Sequence, residues 1–177
     1  MSKPRIATVW LDGCSGCHMS LLDMDERILE LAKAADLVYS PLVDAKTFPE
    51  DVDVAVVEGS VSSADDLHKI TTARSRTKIL VALGDCAVTG NVPAMRNPFG
   101  VEAILDRAYR QTSEPGGEPP DQIVPKLLAR VRPIHEVVHV DVTVPGCPPS
   151  ADVIHHVLME LLAGRLPNVT ELTRFGA

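Results

Sequence analysis

The chain has 177 residues and a mass of 19.1 kDa, is 45% hydrophobic and has a mean hydropathy of +0.09, which suits a core-forming domain and not a disordered chain. Seventeen basic against 24 acidic residues leave a net charge of −7, and only 3% of residues are aromatic; both argue against nucleic acid, and the charge against an anionic membrane surface. No run of 18 apolar residues is present, and Met1–Arg5 leads straight into an apolar segment with no room for a secretory leader, so one cytoplasmic domain over residues 1–177 is expected.

Arg5 to Leu11 is β-branched and apolar, a strand closed by Asp12-Gly13. Leu21, Met24, Ile28, Leu31 and Ala35 then recur at spacings of three or four, one face of an amphipathic helix with Met24 in the core. Leu37–Tyr39 is a short extended piece before Pro41. Asp53 to Glu58 is a buried-strand run ended by Gly59. Ser62 or Ser63 offers an N-cap, with Asp65 and Asp66 in the first turn and Arg74, Arg76 and Lys78 at the far end, both signs favoured by the helix dipole.

Lys78 to Leu83 is a third strand, ended by Gly84. Cys86 to Gly100, with Gly90, Pro93 and Pro98, reads as an ordered loop. A helix is expected over 101–110, an exposed loop over 113–120 and a short helix over 122–130. Glu136 to Val144 partly alternates as a strand does, and a last helix from about Ser150 buries Val153, Ile154, Val157, Leu158, Leu161 and Leu162 before Gly164. Strands alternating with helices predict an α/β fold, a flavodoxin-like, doubly wound parallel sheet.

The four cysteines, Cys14, Cys17, Cys86 and Cys147, lie directly after predicted strands. The carboxyl ends of parallel strands share one edge, where ligands bind, so the fold should gather all four there. Four thiolates suit zinc or an iron–sulfur cluster. Structural zinc commonly uses two Cys-x-x-Cys pairs, and only Cys14/Cys17 forms one. Gly13, Gly16, Gly84 and Gly146 let backbone N–H groups approach sulfur, which favours a 4Fe–4S cubane over zinc. A redox pair of Cys14 and Cys17 alone would leave Cys86 and Cys147 idle, and inert buried cysteines would explain neither the glycines nor the strand-end positions.

Four segments, Leu11–Cys17, Val56–Ser60, Leu83–Asn91 and Pro145–Pro149, resemble the small subunit of nickel–iron hydrogenases in order and spacing, across residues 11 to 149. The resemblance implies that Cys14, Cys17, Cys86 and Cys147 ligate one 4Fe–4S cluster, passing electrons to and from a nickel–iron centre in a separate large subunit. Exported members add a carboxyl-terminal region with two further clusters and a twin-arginine leader, and often have serine–glutamate where this chain has His18-Met19. The chain is therefore most similar to cytoplasmic NAD(P)-linked bidirectional forms, in which diaphorase-type subunits carry flavin and further clusters. The related complex I subunit typically has adjacent cysteines where this chain has Cys14-Ser15-Gly16-Cys17. A complex I-like or deazaflavin-reducing complex, or a zinc-stabilised binding module without redox duty, stands as the alternative.

Glu58 ends its strand on the cysteine edge. It is read either as a proton relay near the active site or as a carboxylate satisfied by backbone N–H groups at a turn. Asp12 and Asp85 should face away from a cluster or cap a turn, because a negative charge beside it opposes reduction. His18 has two readings, a hydrogen bond to sulfur or to the partner subunit, and simple surface placement. His155 and His156 point about 100° apart on a helix, which speaks against a shared metal. His135 and His139 are expected in or near a strand. Residues 87–100, with Val92, Pro93, Ala94, Met95, Pro98 and Phe99, should pack either on the large subunit or over the cluster itself.

Overall fold

The computed structural model describes residues 2–112 and 117–176. Five strands, β1 (Arg5–Trp10), β2 (Asp36–Tyr39), β3 (Val52–Glu58), β5 (Thr77–Leu83) and β7 (Val142–Val144), form one parallel sheet in the order β2-β1-β3-β5-β7. Counting those five alone, the order is 2-1-3-4-5, the flavodoxin-like arrangement. Its switch point lies between β1 and β3, beside the loop that carries Cys14 and Cys17.

Alternation along the strands supplies two cores. Val54 and Val56 of β3 face one side, with Val81, Leu83, Val144 and the helix α7 (Ala151–Leu162), which presents Val153, Ile154, Val157, Leu158 and Leu161. Ala55 and Val57 face the other side, with Ala7, Val9, Leu80 and Ala82, covered by Ile70 and Ala73 of α3 (Ala64–Ser75). A strand buried on both faces reads as a continuous apolar run, which is why β3 and β5 were legible. Ser63 caps α3, accepting from the Asp66 N–H at 3.1 Å while Asp66 Oδ2 accepts from Ser63 N–H at 2.9 Å. Met24 is 1% exposed, a core residue as expected.

Several elements depart from the sequence reading. The single helix through 21–35 is two, α1 (Gly16–Leu22) and α2 (Arg27–Ala34), separated by a turn in which Asp25 takes φ +57°. The stretch after Cys86 is helical: α4 (Gly84–Thr89) and α5 (Asn91–Ala94) meet at Gly90, φ +86°. Gly90 and Pro93 read as loop residues, but a glycine suits a helix end and a proline suits a first turn. Val101–Leu105 forms α6 and continues as a π-helical segment, Asp106–Gln111, close to the expected helix. The expectation of a loop at 113–120 falls in part outside the described residues.

Residues 122–130 are not a helix: Leu127–Arg132 is a strand, β6, antiparallel to β4 (Val61–Ser63) in a small second sheet. Pro125 disfavours helix in the residue before it, and a partner strand far away in sequence decides the outcome. Only Val142–Val144 of the expected last strand pairs; His135 sits in a 3-10 turn and His139 beyond it, both exposed. Among the described residues, no helix is long and apolar enough to cross a membrane.

Candidate metal centre

Two backbone ties bring the strand-end loops together. Asp12 N–H donates to Ser60 O at 3.1 Å and Ser60 N–H to Asp12 O at 2.7 Å, joining the loops after β1 and β3. Asp85 N–H donates to Gly146 O at 2.8 Å, and Gly146 N–H returns to Asp85 Oδ1 at 2.7 Å. Asp85 thus caps a turn, one of the two placements expected for it. Ser20 Oγ–H donates to Pro149 O at 2.5 Å and closes α1 onto the last loop.

The result is one cavity of about 60 Å³ lined by Cys14, Cys17, Cys86 and Cys147, with Gly13, Gly16, Gly146, Glu58 and Asp85 in its wall. Among the described residues no group of three His, Cys, Asp or Glu side chains could hold a single metal ion; what the four thiols share is a space. About 10–15 Å³ is enough for one water, so this cavity is scaled to a polyatomic group. Glycines in and beside the wall leave room for sulfur. A Cβ at Gly84 would lie 2.3 Å from Cys17 Sγ, and one at Gly16 3.2 Å from Cys14 Sγ.

The thiols are free and graded in exposure, Cys14 and Cys147 open and Cys17 and Cys86 half-buried. Burial pushes the Cys17 thiol far above the ordinary range, and the charges of Glu58, Cys86, Cys14 and Cys147 push the same way. Cys86 is raised by burial and by Cys14 and Cys147, against which hydrogen bonds from Asn91 and the Val92 N–H pull down. Four thiolates so placed repel one another unless a cation sits among them; a bound metal deprotonates such thiols outright. Donors already aim at sulfur: Gly16 N–H to Cys14 Sγ at 3.4 Å and Asn91 Nδ2 to Cys147 Sγ at 3.6 Å. Shape, charge and donor set all fit an iron–sulfur group.

Glu58 is 2% exposed. Its Oε2 accepts the His18 backbone N–H at 2.5 Å and lies 2.7 Å from His18 Nδ1. A backbone N–H partner was one of its two expected readings; the imidazole partner was not foreseen. His18 itself is buried, 5% exposed, which overturns surface placement, and its ring contacts Glu58 and Thr8 instead of sulfur. Asn91 and Thr8 were missed as well. Asn91 stands in a motif that names no role for it, and Thr8 is a mid-strand residue whose partners are distant in sequence. His155 Nε2 lies 3.4 Å from Glu30 Oε2, away from the cysteines.

Residues 14–161 match the family model described as NADH ubiquinone oxidoreductase, 20 Kd subunit. The chain is 43% identical over 168 residues to the delta subunit of the NAD-reducing hydrogenase HoxS of Cupriavidus necator, covering 92% of this chain and 80% of that one. It is 38% identical over 167 residues to a subunit of the vhu F420-non-reducing hydrogenase of Methanocaldococcus jannaschii, covering 93% of this chain but 58% of the longer relative. Among solved structures, a chain of an NAD+-reducing NiFe hydrogenase in the H2-reduced state superposes with a TM-score of 0.93 at 44% identity, covering 98% of this chain and 99% of that one. A NiFeSe hydrogenase chain of Desulfovibrio vulgaris Hildenborough shares the fold at a TM-score of 0.59 and 17% identity, over 92% of this chain and 60% of its own.

Proposed function

The chain belongs to the family of the 20 kDa subunit of NADH ubiquinone oxidoreductase, and from that premise we propose that it is the electron-transfer small subunit of a cytoplasmic, NAD(P)-linked nickel–iron hydrogenase. Cys14, Cys17, Cys86 and Cys147 would hold one 4Fe–4S cluster, with residues 1–177 acting as a single cluster-binding unit. When bound, such a cluster supplies reversible one-electron transfer. The partners in this reading are a large subunit with the nickel–iron centre and diaphorase-type subunits with flavin and further clusters. The observation that carries it is the convergence of four thiols, from three strand ends, on one glycine-walled cavity.

The protein's own contribution is positional. Asn91 and the Gly16 N–H donate to sulfur, a contact that tunes the potential of a cluster. Cys14 and Cys147 are exposed at the mouth of the cavity, so a partner lying against that edge would sit within reach of transferred electrons and shield the site from water. Val92, Met95 and Phe99, 63%, 69% and 70% exposed on the segment after Cys86, supply the apolar surface for such a partner. Glu58 is the carboxylate available at the wall if protons are to be handed on, the role proposed for it in this reading.

Metal analysis of the chain purified apart from its partners decides the reading. About four irons and four acid-labile sulfides per chain are expected; zinc in their place overturns it in favour of a binding module. Cys147→Ser should abolish hydrogen-driven NAD(P)+ reduction while thermal unfolding of the chain changes little. Persistence of that activity would remove Cys147 from the ligand set.

A further inference from the structure

Behind the cavity wall, four side chains from three elements and the loop after β2 form an unbroken buried line. Glu58, at the end of β3, meets His18 of α1, His18 Nε2 meets Thr8 Oγ1 of β1 at 2.9 Å, and the Thr8 and Ser40 hydroxyls share a hydrogen bond of 2.8 Å. Ser40 Oγ also accepts the Leu42 N–H at 3.1 Å, which pins the far end to the loop after β2. All four residues are 5% exposed or less.

A fully satisfied polar line through an apolar core fixes its members, because any break leaves a buried group without a partner. Thr8 stands in a strand whose neighbours Ala7 and Val9 are apolar, and His18 stands where α1 otherwise packs by Leu21. What the line does place is a carboxylate at a cavity built for a charged group. Oε2 already accepts the His18 backbone N–H at 2.5 Å, so its 2.7 Å contact with the ring is a second hydrogen bond to the same acceptor oxygen, in which Nδ1 donates. Charges near a poorly solvated centre act strongly on it, and donation to the carboxylate draws off part of that effect.

We propose that Ser40, Thr8 and His18 are positioning residues that hold the Glu58 carboxylate at the wall of the thiol cavity and thereby set the reduction potential of the cluster held there. The proposal rests on the cluster reading above. Glu58 lowers the potential, since negative charge opposes reduction; His18 limits that lowering by donating to it.

The test is the midpoint potential of the cluster, read by EPR-monitored redox titration of the purified complex on the signal that Cys147→Ser removes. Glu58→Gln should raise the potential. His18→Leu should lower it, and His18→Asn, which keeps a donor near the place of Nδ1, should restore most of the shift. Thr8→Val, a near-isosteric change, should lower the potential by less than His18→Leu does. In the Glu58→Gln background, His18→Leu should produce no further shift, because His18 acts through the carboxylate. Equal shifts of His18→Leu in both backgrounds, or no shift with Glu58→Gln, would overturn the proposal while leaving the cluster reading intact. A parent complex in which Cys147→Ser removes no reducible cluster signal would overturn both.

Discussion

At Gly84 a methyl group would end 2.3 Å from Cys17 Sγ, in a residue whose φ is +82°. The glycine is there for the sulfur as much as for the turn. Gly100, also at positive φ (+78°), has nothing within 4 Å of the same position and separates the two effects. Gly84→Ala should lose iron and sulfide from the purified complex. Gly100→Ala should retain them and cost about 1–3 kcal/mol in chemical denaturation, because a backbone at φ +78° and ψ 165° is open essentially to glycine alone. At this scale the cysteines were legible because thiols are few and their strand-end spacing has one convergent solution. His18, Thr8 and Asn91 were not, because a hydrogen bond between residues 10 to 56 positions apart leaves no local trace.

Helix α3 illustrates what local chemistry can specify. Its capping box, Ser63 with Asp66, satisfies orphan N–H groups at the first turn and needs nothing beyond four consecutive residues. Ser63→Ala should therefore cost about 1 kcal/mol of stability in urea or thermal unfolding, with iron content unchanged. The same locality failed at 122–130, where the chain pairs as β6, Arg132 with Val61 and Leu127 with Ser63, 71 and 64 positions upstream. It also failed after Cys86, where glycine and proline stand at helix boundaries and mimic a loop. The α1–α2 break lies inside a faultless helical periodicity; Met24 is buried on either arrangement, so periodicity alone could not reveal the turn at Asp25.

Across the whole molecule, the parallel sheet turns one edge into a functional face. Arg96 donates to Ser62 O at 3.1 Å and Leu128 O at 2.9 Å, and Asn97 exchanges hydrogen bonds with Val131, so the segment after Cys86 is braced on the small second sheet. Its apolar residues Val92, Met95 and Phe99 face outward from a rigid support. Replacing all three with Glu should weaken capture of the large subunit by more than about tenfold in pull-down, since buried aromatic and methionine anchors dominate such contacts. Undiminished assembly would show that the partner docks elsewhere. The amino-acid sequence by itself determined the layer architecture, because strands buried on both faces and one-faced helices must stack in one way. It also determined that four thiols meet, since strand ends in a parallel sheet share an edge. Only the tertiary structure decided what stands behind them: that His18 is buried against Glu58, that Thr8 and Ser40 extend the line, and that residues 127–132 form a strand. These depend on pairings between distant segments, whose energy is realised only when the rest of the core has already placed both partners.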